Sequence, residues 1–317
     1  MCVKINLKLL AVILCAAIFA TRIPFGIRSV PASVDIASQQ TGNTVELPIL
    51  MYHHMLKNSK LLGNYTITPT EFEHDLKYLR DNGYTTITVQ DLIAYCRGQS
   101  TLPPKPVMIT FDDGYESTYE YAYPLLKQYG MKAVVSIIGY YTDLYSKTRD
   151  KHINYSHLTW SELRDMMESG VFEIQNHTYN MHGNNTRKGV RKKSGETDEE
   201  YRSAISANII QVQNEVKTNL GMTPTAFTYP FGYITKDSKE IVKDLGFQAS
   251  FSCEEGVNVL SGNPEELYLL MRYNRVHNIS TEQFMNKIAK GKRRKPIPLT
   301  EKSAVDSNSR IQAVSEK

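Results

Sequence analysis

Between Leu47 and Ala289 the sequence keeps switching between two periodicities, and this alternation limits the fold more than any other feature. Short apolar runs read as strands: "LPILMY" (47–52), "YTTITV" (84–89), "PVMITF" (106–111), "KAVVSII" (132–138), "FEIQ" (172–175), "AFTYP" (226–230), "QASFS" (248–252) and "YLLMRYNRV" (268–276). Helical patterns lie between them. Thr68, Pro69 and Glu71 form a cap ahead of the stripe Phe72, Leu76 and Leu79, which Gly83 ends. "DLIAYCRG" is a short helix, and another runs to about Tyr129. Thr159 with Glu162 caps a helix closed by Gly170; Tyr201, Ile205, Ile209 and Val212 stripe a long one; Ser280 caps the last. Strands alternating with helices imply an α/β fold, a parallel sheet with helices outside, and the length suits a closed or nearly closed β/α barrel. In such folds the chemistry sits where strands end, at their carboxyl edge.

The flanks are different. "MCVKINLKLLAVILCAAIFATR" carries Lys4 and Lys8, an apolar run from Leu9 to Ala20, and Arg22. That is the pattern of a secretory signal, cleaved after Ala17 or Ala20, or of an uncleaved N-terminal membrane anchor. Residues 1–22 are therefore expected to be a leader, 23–46 a polar linker, 47–290 the folded domain and 291–317 a disordered tail. The chain is expected to be exported, secreted or held at the cell surface, and monomeric. Cys2 and Cys15 fall in the leader; whether Cys96 and Cys253 pair is left open, and no CxxC metal pattern exists. A net charge of +4 over 317 residues gives no reason to invoke nucleic acid.

The strand ends are rich in ionisable groups. His53 and His54 follow the first strand, Asp112 and Asp113 follow "VMITF", and His177 and His182 follow "FEIQN". Pro230-Phe231-Gly232 follows "AFTY", and Arg272, Arg275 and His277 lie in or after the last strand. Adjacent acids cannot face each other across a glycosidic bond at roughly 5–9 Å, because successive residues leaving a strand diverge. A nucleotide-site or turn pair remains a plain alternative. A division of labour suits them better: one ligates a cation and its neighbour handles a proton, with the cation relieving their repulsion. The two histidines are spaced five apart, which on a helix would set them about 140° from one another, so a loop must bring them together. Two imidazoles and one carboxylate form a zinc set with a position left for water, and such an ion lowers the pKa of bound water to about 7.

"TFDDGY", "HTYNMHG" and "YPFG", in this order, resemble the polysaccharide deacetylase family, carbohydrate esterase family 4, with the NodB-homology fold, a distorted (β/α) barrel. The resemblance runs from Leu47 to Ala289. "LPILMYHHM", "LPPKPVMITFDDGY" and the five-residue histidine spacing look most like the subgroup that de-N-acetylates poly-β-1,6-N-acetylglucosamine. The resemblance implies that Asp112 is the general base and that Asp113, His177 and His182 hold a divalent metal ion, zinc first, with cobalt or nickel as alternatives. It implies that the "YPFG" turn (Tyr229, Pro230, Gly232) lines the groove, with the Tyr229 N–H steadying an oxyanion. His53 would protonate the leaving amine, with His277 as competitor. The family's arginine upstream of the third motif is absent from "TPTAFTYPFG"; Arg272, in "LMRYNRV", resembles the subgroup's late arginine, which implies that it binds Asp112 instead. "SFSCEEGVN" stands where a "DxxDW"-like motif is usual.

The partner so implied is an N-acetylated amino-sugar polysaccharide. Peptidoglycan or chito-oligosaccharide as substrate, an ester-cleaving relative, and a catalytically inactive carbohydrate-binding relative remain alternatives. "NTRKGVRKKSGE" (185–196) is either a basic rim for a partly anionic glycan or a solvated loop, and Trp160 behind its cap reads as packing.

Overall fold

The computed structural model describes residues 44–148, 150–183 and 187–298; the leader, most of the linker and the tail beyond Pro298 lie outside these. In chain order the elements are β1 (Val45–Leu47), β2 (Ile49–Tyr52), β3 (His54–Met55), β4 (Thr66–Ile67), α1 (Pro69–Asp81), β5 (Thr85–Thr86), α2 (Val89–Cys96), β6 (Pro106–Phe111), α3 (Tyr123–Tyr129), β7 (Ala133–Ile137), α4 (Gly139–Thr148), α5 (Trp160–Glu168), β8 (Phe172–Asn176), α6 (Asp198–Leu220), β9 (Ala226–Thr228), α7 (Lys236–Asp244), β10 (Ala249–Phe251), β11 (Asn258–Leu260), β12 (Tyr273–Asn274) and α8 (Thr281–Lys290). Among the described residues, reciprocal capping boxes start six of the eight α-helices, at Thr68, Thr88, Thr159, Thr197, Thr235 and Ser280.

The main sheet is parallel throughout, in the order β10-β9-β8-β7-β6-β2-β12, with β5 paired to β6. It curls until its ends meet. Phe251 at the end of β10 bridges Leu270, just ahead of β12, through Leu270 N–H to Ser250 O (2.7 Å) and Ser252 N–H to Leu270 O (2.9 Å). The result is the expected distorted β/α barrel. Strand alternation divides the side chains. Leu50, Tyr52, Ile109, Phe111, Val135 and Ile174 pack outward with residues of α1, α3, α5, α6 and α8, whereas Ile49, Met108, Val134, Ala226, Ala249 and Phe251 gather inside.

Several expectations shift. The run at 84–89 pairs only at Thr85 and Thr86, because Thr88 caps a helix that already begins at Val89. In "YLLMRYNRV" only Tyr273 and Asn274 form a strand. α4, α7 and β11 were not among the expected elements: α4 is rich in tyrosine and β11 is three residues long, whereas α7 carries a usable signal in the Thr235 cap and the face Ser238, Ile241 and Val242. Residues 291–298, assigned to the tail, stay on the domain. Val257 N–H donates to Lys292 O (2.8 Å), Arg294 N–H to Val257 O (2.9 Å) and Ile297 N–H to Glu266 Oε1 (2.7 Å).

A buried network fixes the last strand. Asp75 on α1 accepts from Tyr52 (3.0 Å), Arg275 Nε (2.8 Å) and Thr281 (2.6 Å), tying α1, β2, β12 and α8 together.

A second buried acid sits outside the barrel. Lys151 Nζ lies 2.5 Å from Glu162 Oε1 and 3.8 Å from Glu116 Oε1, and the other Glu116 oxygen has no donor among the described residues. Burial, and then the charge of Glu162, push Glu116 up to about 7. In the unfolded chain a glutamate titrates near about 4.3. The folded state therefore holds the extra proton between these values, and stability falls as pH rises through that window. Glu116→Gln is expected to raise unfolding stability by about 2–3 kcal/mol at pH 8 and by little at pH 4. Thermal melts at both values check this, and an equal effect at both would contradict it.

Candidate metal centre

Strand parity explains why one acid of the pair enters the barrel. Met108 and Thr110 face inward on β6, and Asp112 follows in the same phase, almost fully buried. There it meets Arg272, which reaches it from the segment before β12. The guanidinium grips both carboxylate oxygens, NH1 to Oδ1 at 2.7 Å and NH2 to Oδ2 at 2.8 Å. Its Nε donates to Ser252 O (2.9 Å) and its NH1 to Thr110 Oγ1 (3.3 Å). Such a two-pronged pair fixes orientation as well as charge. Burial, the largest single influence, pushes the Asp112 carboxyl up, but the Arg272 charge and hydrogen bond together with the charges of His177 and His53 outweigh it, so the group sits below its ordinary value and is ionised.

Asp113 has the opposite parity. Its backbone is left-handed, φ 70°, and this turn swings the carboxylate to the mouth of the barrel. There it meets the two histidines from the β8 loop. His177 Nδ1 donates to Thr228 O at 2.8 Å, so the lone pair on Nε2 is the one presented to the mouth. The three facing atoms form a triangle: His177 Nε2 to His182 Nε2 3.0 Å, His177 Nε2 to Asp113 Oδ1 3.4 Å, and His182 Nε2 to Asp113 Oδ1 3.7 Å. Ligands about 2.0–2.1 Å from a tetrahedral zinc stand roughly 3.3–3.4 Å apart, so the triangle has the size of one face of such a site. These three residues are the group of metal-ligating side chains found together among the described residues. Burial lowers His177, but its bond to Asp113 and the charges of Asp112 and Asp113 outweigh this and push it up, so a metal ion binding here would displace a proton from it. Burial, then the neighbouring charge of His177, push His182 down to about 3, so it presents a lone pair rather than a proton. Burial raises Asp113, yet its bond with His177 and the charges of His182 and His177 win and hold it far below the carboxylate range. Two imidazole lone pairs and a carboxylate aimed at one point repel unless a cation lies between them, and a divalent metal ion fits the set.

A profile of the polysaccharide deacetylase family matches residues 99–250, which include the acid pair, both histidines and the "YPFG" turn. The chain carries a polysaccharide deacetylase domain. It is a hydrolase. A poly-beta-1,6-N-acetyl-D-glucosamine N-deacetylase of Staphylococcus aureus (strain MRSA252) is 26% identical over 216 residues, 68% of this chain and 70% of the relative. A protein of the same name from Escherichia coli (strain K12) is 25% identical over 245 residues, 70% of this chain, but the chain spans only 35% of that longer relative. The fold is like that of a Streptococcus pyogenes deacetylase, PplD, in complex with acetate: TM-score 0.64, 24% identity, 78% of this chain and 99% of that one.

The walls of this deacetylase site depart from the sequence expectation at one point. The Tyr229 N–H is not free for an oxyanion, because it donates to Phe251 O at 3.1 Å as part of the sheet, and the phenol is buried toward Ser238 O. Pro230 has no N–H, and Gly232 N–H returns to Tyr229 O at 3.1 Å. The turn instead contributes Phe231, 46% exposed, with its ring centre 5.1 Å from that of His182.

The two candidate proton donors separate clearly. His53, at the end of β2, interacts electrostatically with Asp112, Asp113, Arg272 and His177; burial is the largest influence and lowers it. Its ring packs edge-on against the exposed Tyr65 at 4.9 Å. His277 is engaged elsewhere, with Nδ1 2.9 Å from Glu71 Oε1 at the cap of α1. Cys96 and Cys253 are free thiols, Cys96 packed beside the lower core and Cys253 against Gly232 near Arg272. Sequence reasoning missed Thr110, Thr228 and Ser252, which hold Arg272 and His177. The inward phase of Thr110 was a usable signal; the two backbone carbonyls carry none.

Proposed function

We propose that the chain removes N-acetyl groups from N-acetylglucosamine residues of a cell-surface polysaccharide of the poly-β-1,6-N-acetylglucosamine kind. The observation that carries this reading is the triangle of Asp113, His177 and His182 beside an ionised carboxylate clamped by Arg272. The names of the Staphylococcus and Escherichia relatives support the choice of polymer. Asp113, His177 and His182 hold the divalent ion, with zinc as the first candidate and cobalt or nickel as alternatives. When bound, that ion supplies Lewis-acid polarisation of a carbonyl and makes water more acidic.

The chain's own residues do the rest. Asp112 takes a proton from the water that adds to the acetamide carbon. Arg272 keeps Asp112 ionised and aimed, so no reorientation is needed as the proton moves. As the C–N bond breaks, the amine must gain a proton; His53 delivers it, having taken one up in exchange with solvent. The exposed rings of Tyr65 and Phe231 flank His53 and His182 and suit the flat faces of sugars. The leader-like residues 1–22 support export, by secretion or by an N-terminal anchor, and the enzyme acts as a monomer on the glycan outside the membrane.

The test is acetate release from poly-β-1,6-N-acetylglucosamine and from peptidoglycan in parallel, with zinc content measured by elemental analysis. Faster release from the β-1,6 polymer is expected, and a preference for peptidoglycan would overturn the choice of substrate. His182→Ala should bring bound zinc from stoichiometric to near zero. Full zinc retention in that variant would remove the proposed ligand set.

A further inference from the structure

Part of the basic stretch that follows the histidine loop is anchored beside the site, through Arg187, Gly189 and Val190. Arg187 is buried and pairs with Glu196, and its NH1 also donates to Arg191 O at 2.6 Å. Val190 is buried, and its carbonyl accepts from Tyr201 at 2.7 Å. Gly189 presses on the "YPFG" turn: with φ 62°, a Cβ there would come within 2.9 Å of Pro230 O and 3.1 Å of the Tyr233 ring. The turn is itself strained, since Phe231 is a non-glycine residue at φ 58°. The strained turn presents Phe231 outward beside His182, with Tyr233 5.7 Å behind it.

Two cations lie on this aromatic shelf. Lys188 Nζ is 5.7 Å from the Phe231 ring centre, and the Arg191 guanidinium carbon is 3.4 Å from that of Tyr233. Arg187 and Lys192 have acidic partners in Glu196 and Asp198, whereas Lys188 and Arg191 have no carboxylate partner among the described residues. The shelf therefore carries uncompensated positive charge one ring away from a metal-ligating histidine.

This charge matters because the reaction changes the charge of its polymer. An N-acetylglucosamine unit is neutral; a deacetylated one bears an ammonium group. Resting on the function proposed above, we propose that Phe231, Tyr233, Lys188 and Arg191 form a subsite for the sugar next to the one losing its acetyl group. It accepts an N-acetylated neighbour and disfavours one already deacetylated. Deacetylation then does not run along consecutive units, and the product is a sparsely deacetylated chain. Since the cations are exposed, the discrimination is modest and falls with ionic strength.

The test uses β-1,6-linked N-acetylglucosamine oligomers, fully acetylated or carrying one glucosamine at each position in turn, assayed where the amine is protonated. At low salt, kcat/KM should be about three- to tenfold lower when the ammonium falls at one particular neighbour of the reacting unit. That ratio should approach one in high salt, at a pH where the amine is neutral, and in K188Q/R191Q. In K188E/R191E it should reverse. Equal rates for every oligomer, or a ratio unchanged in K188Q/R191Q, would overturn the subsite while leaving the activity standing. No turnover of any oligomer would instead overturn the proposed function, and the subsite with it.

Discussion

Asp112→Asn is expected to lower acetate release about 10²- to 10⁴-fold, the usual worth of a positioned general base. The amide is nearly the same shape but cannot take the proton. Zinc content should stay stoichiometric, because Asp112 lies outside the triangle of facing ligand atoms and is occupied by Arg272. If zinc were lost and Asp113→Asn kept it, the two acids would have exchanged roles. Wild-type turnover in Asp112→Asn would remove the base altogether. The variant carries a second cost. Arg272 is fully buried, and without its counter-charge the fold loses about 3–5 kcal/mol. Activity must therefore be read on protein shown by circular dichroism to be folded.

Arg272→Met produces the mirror effect. It leaves the buried Asp112 carboxylate unpaired, at a cost of about 3–5 kcal/mol, or a melting temperature lower by about 10 °C for a domain of this size. Turnover should fall about 10²-fold, since the base loses both its orientation and the charge that keeps it ionised. Arg272→Lys should recover only part of this, because an ammonium cannot grip two oxygens and also reach Ser252 O and Thr110. The double variant Asp112→Asn/Arg272→Met should be more stable than the two single losses added together predict, because the residues share one interaction. Strict additivity in calorimetry, or an Arg272→Met protein as stable and active as the parent, would rule out the clamp.

Much of this was legible from residue order alone. The caps at Thr68, Thr159 and Ser280, and the stripe Tyr201, Ile205, Ile209 and Val212, are local signals and recur in the structure. The acid pair and the histidines could be placed at strand ends because strand ends are where β/α folds gather chemistry. Reading the Tyr229 N–H as an oxyanion donor failed because its sheet partner, Phe251, is not a sequence neighbour. Reading the basic stretch as wholly solvated fails at Arg187, Gly189 and Val190, which are buried, the last two against α6 and the "YPFG" turn, contacts that composition does not reveal.

What the sequence determined by itself was periodicity and local chemistry: which runs become strands, where helices start, and which residue types stand at each strand end. Only the tertiary structure decided which of those residues meet. Arg272 reaches Asp112 across 160 residues because the curled sheet brings the segment before β12 round beside β6. His53 rather than His277 lies near enough to Asp112, Asp113 and His177 to interact with them, while Glu71, fixed at the cap of α1, holds the other imidazole. The physical reason is that hydrogen bonds within a turn of helix or along a strand depend on neighbouring residues, whereas closure and register of a sheet depend on the packing of the whole chain.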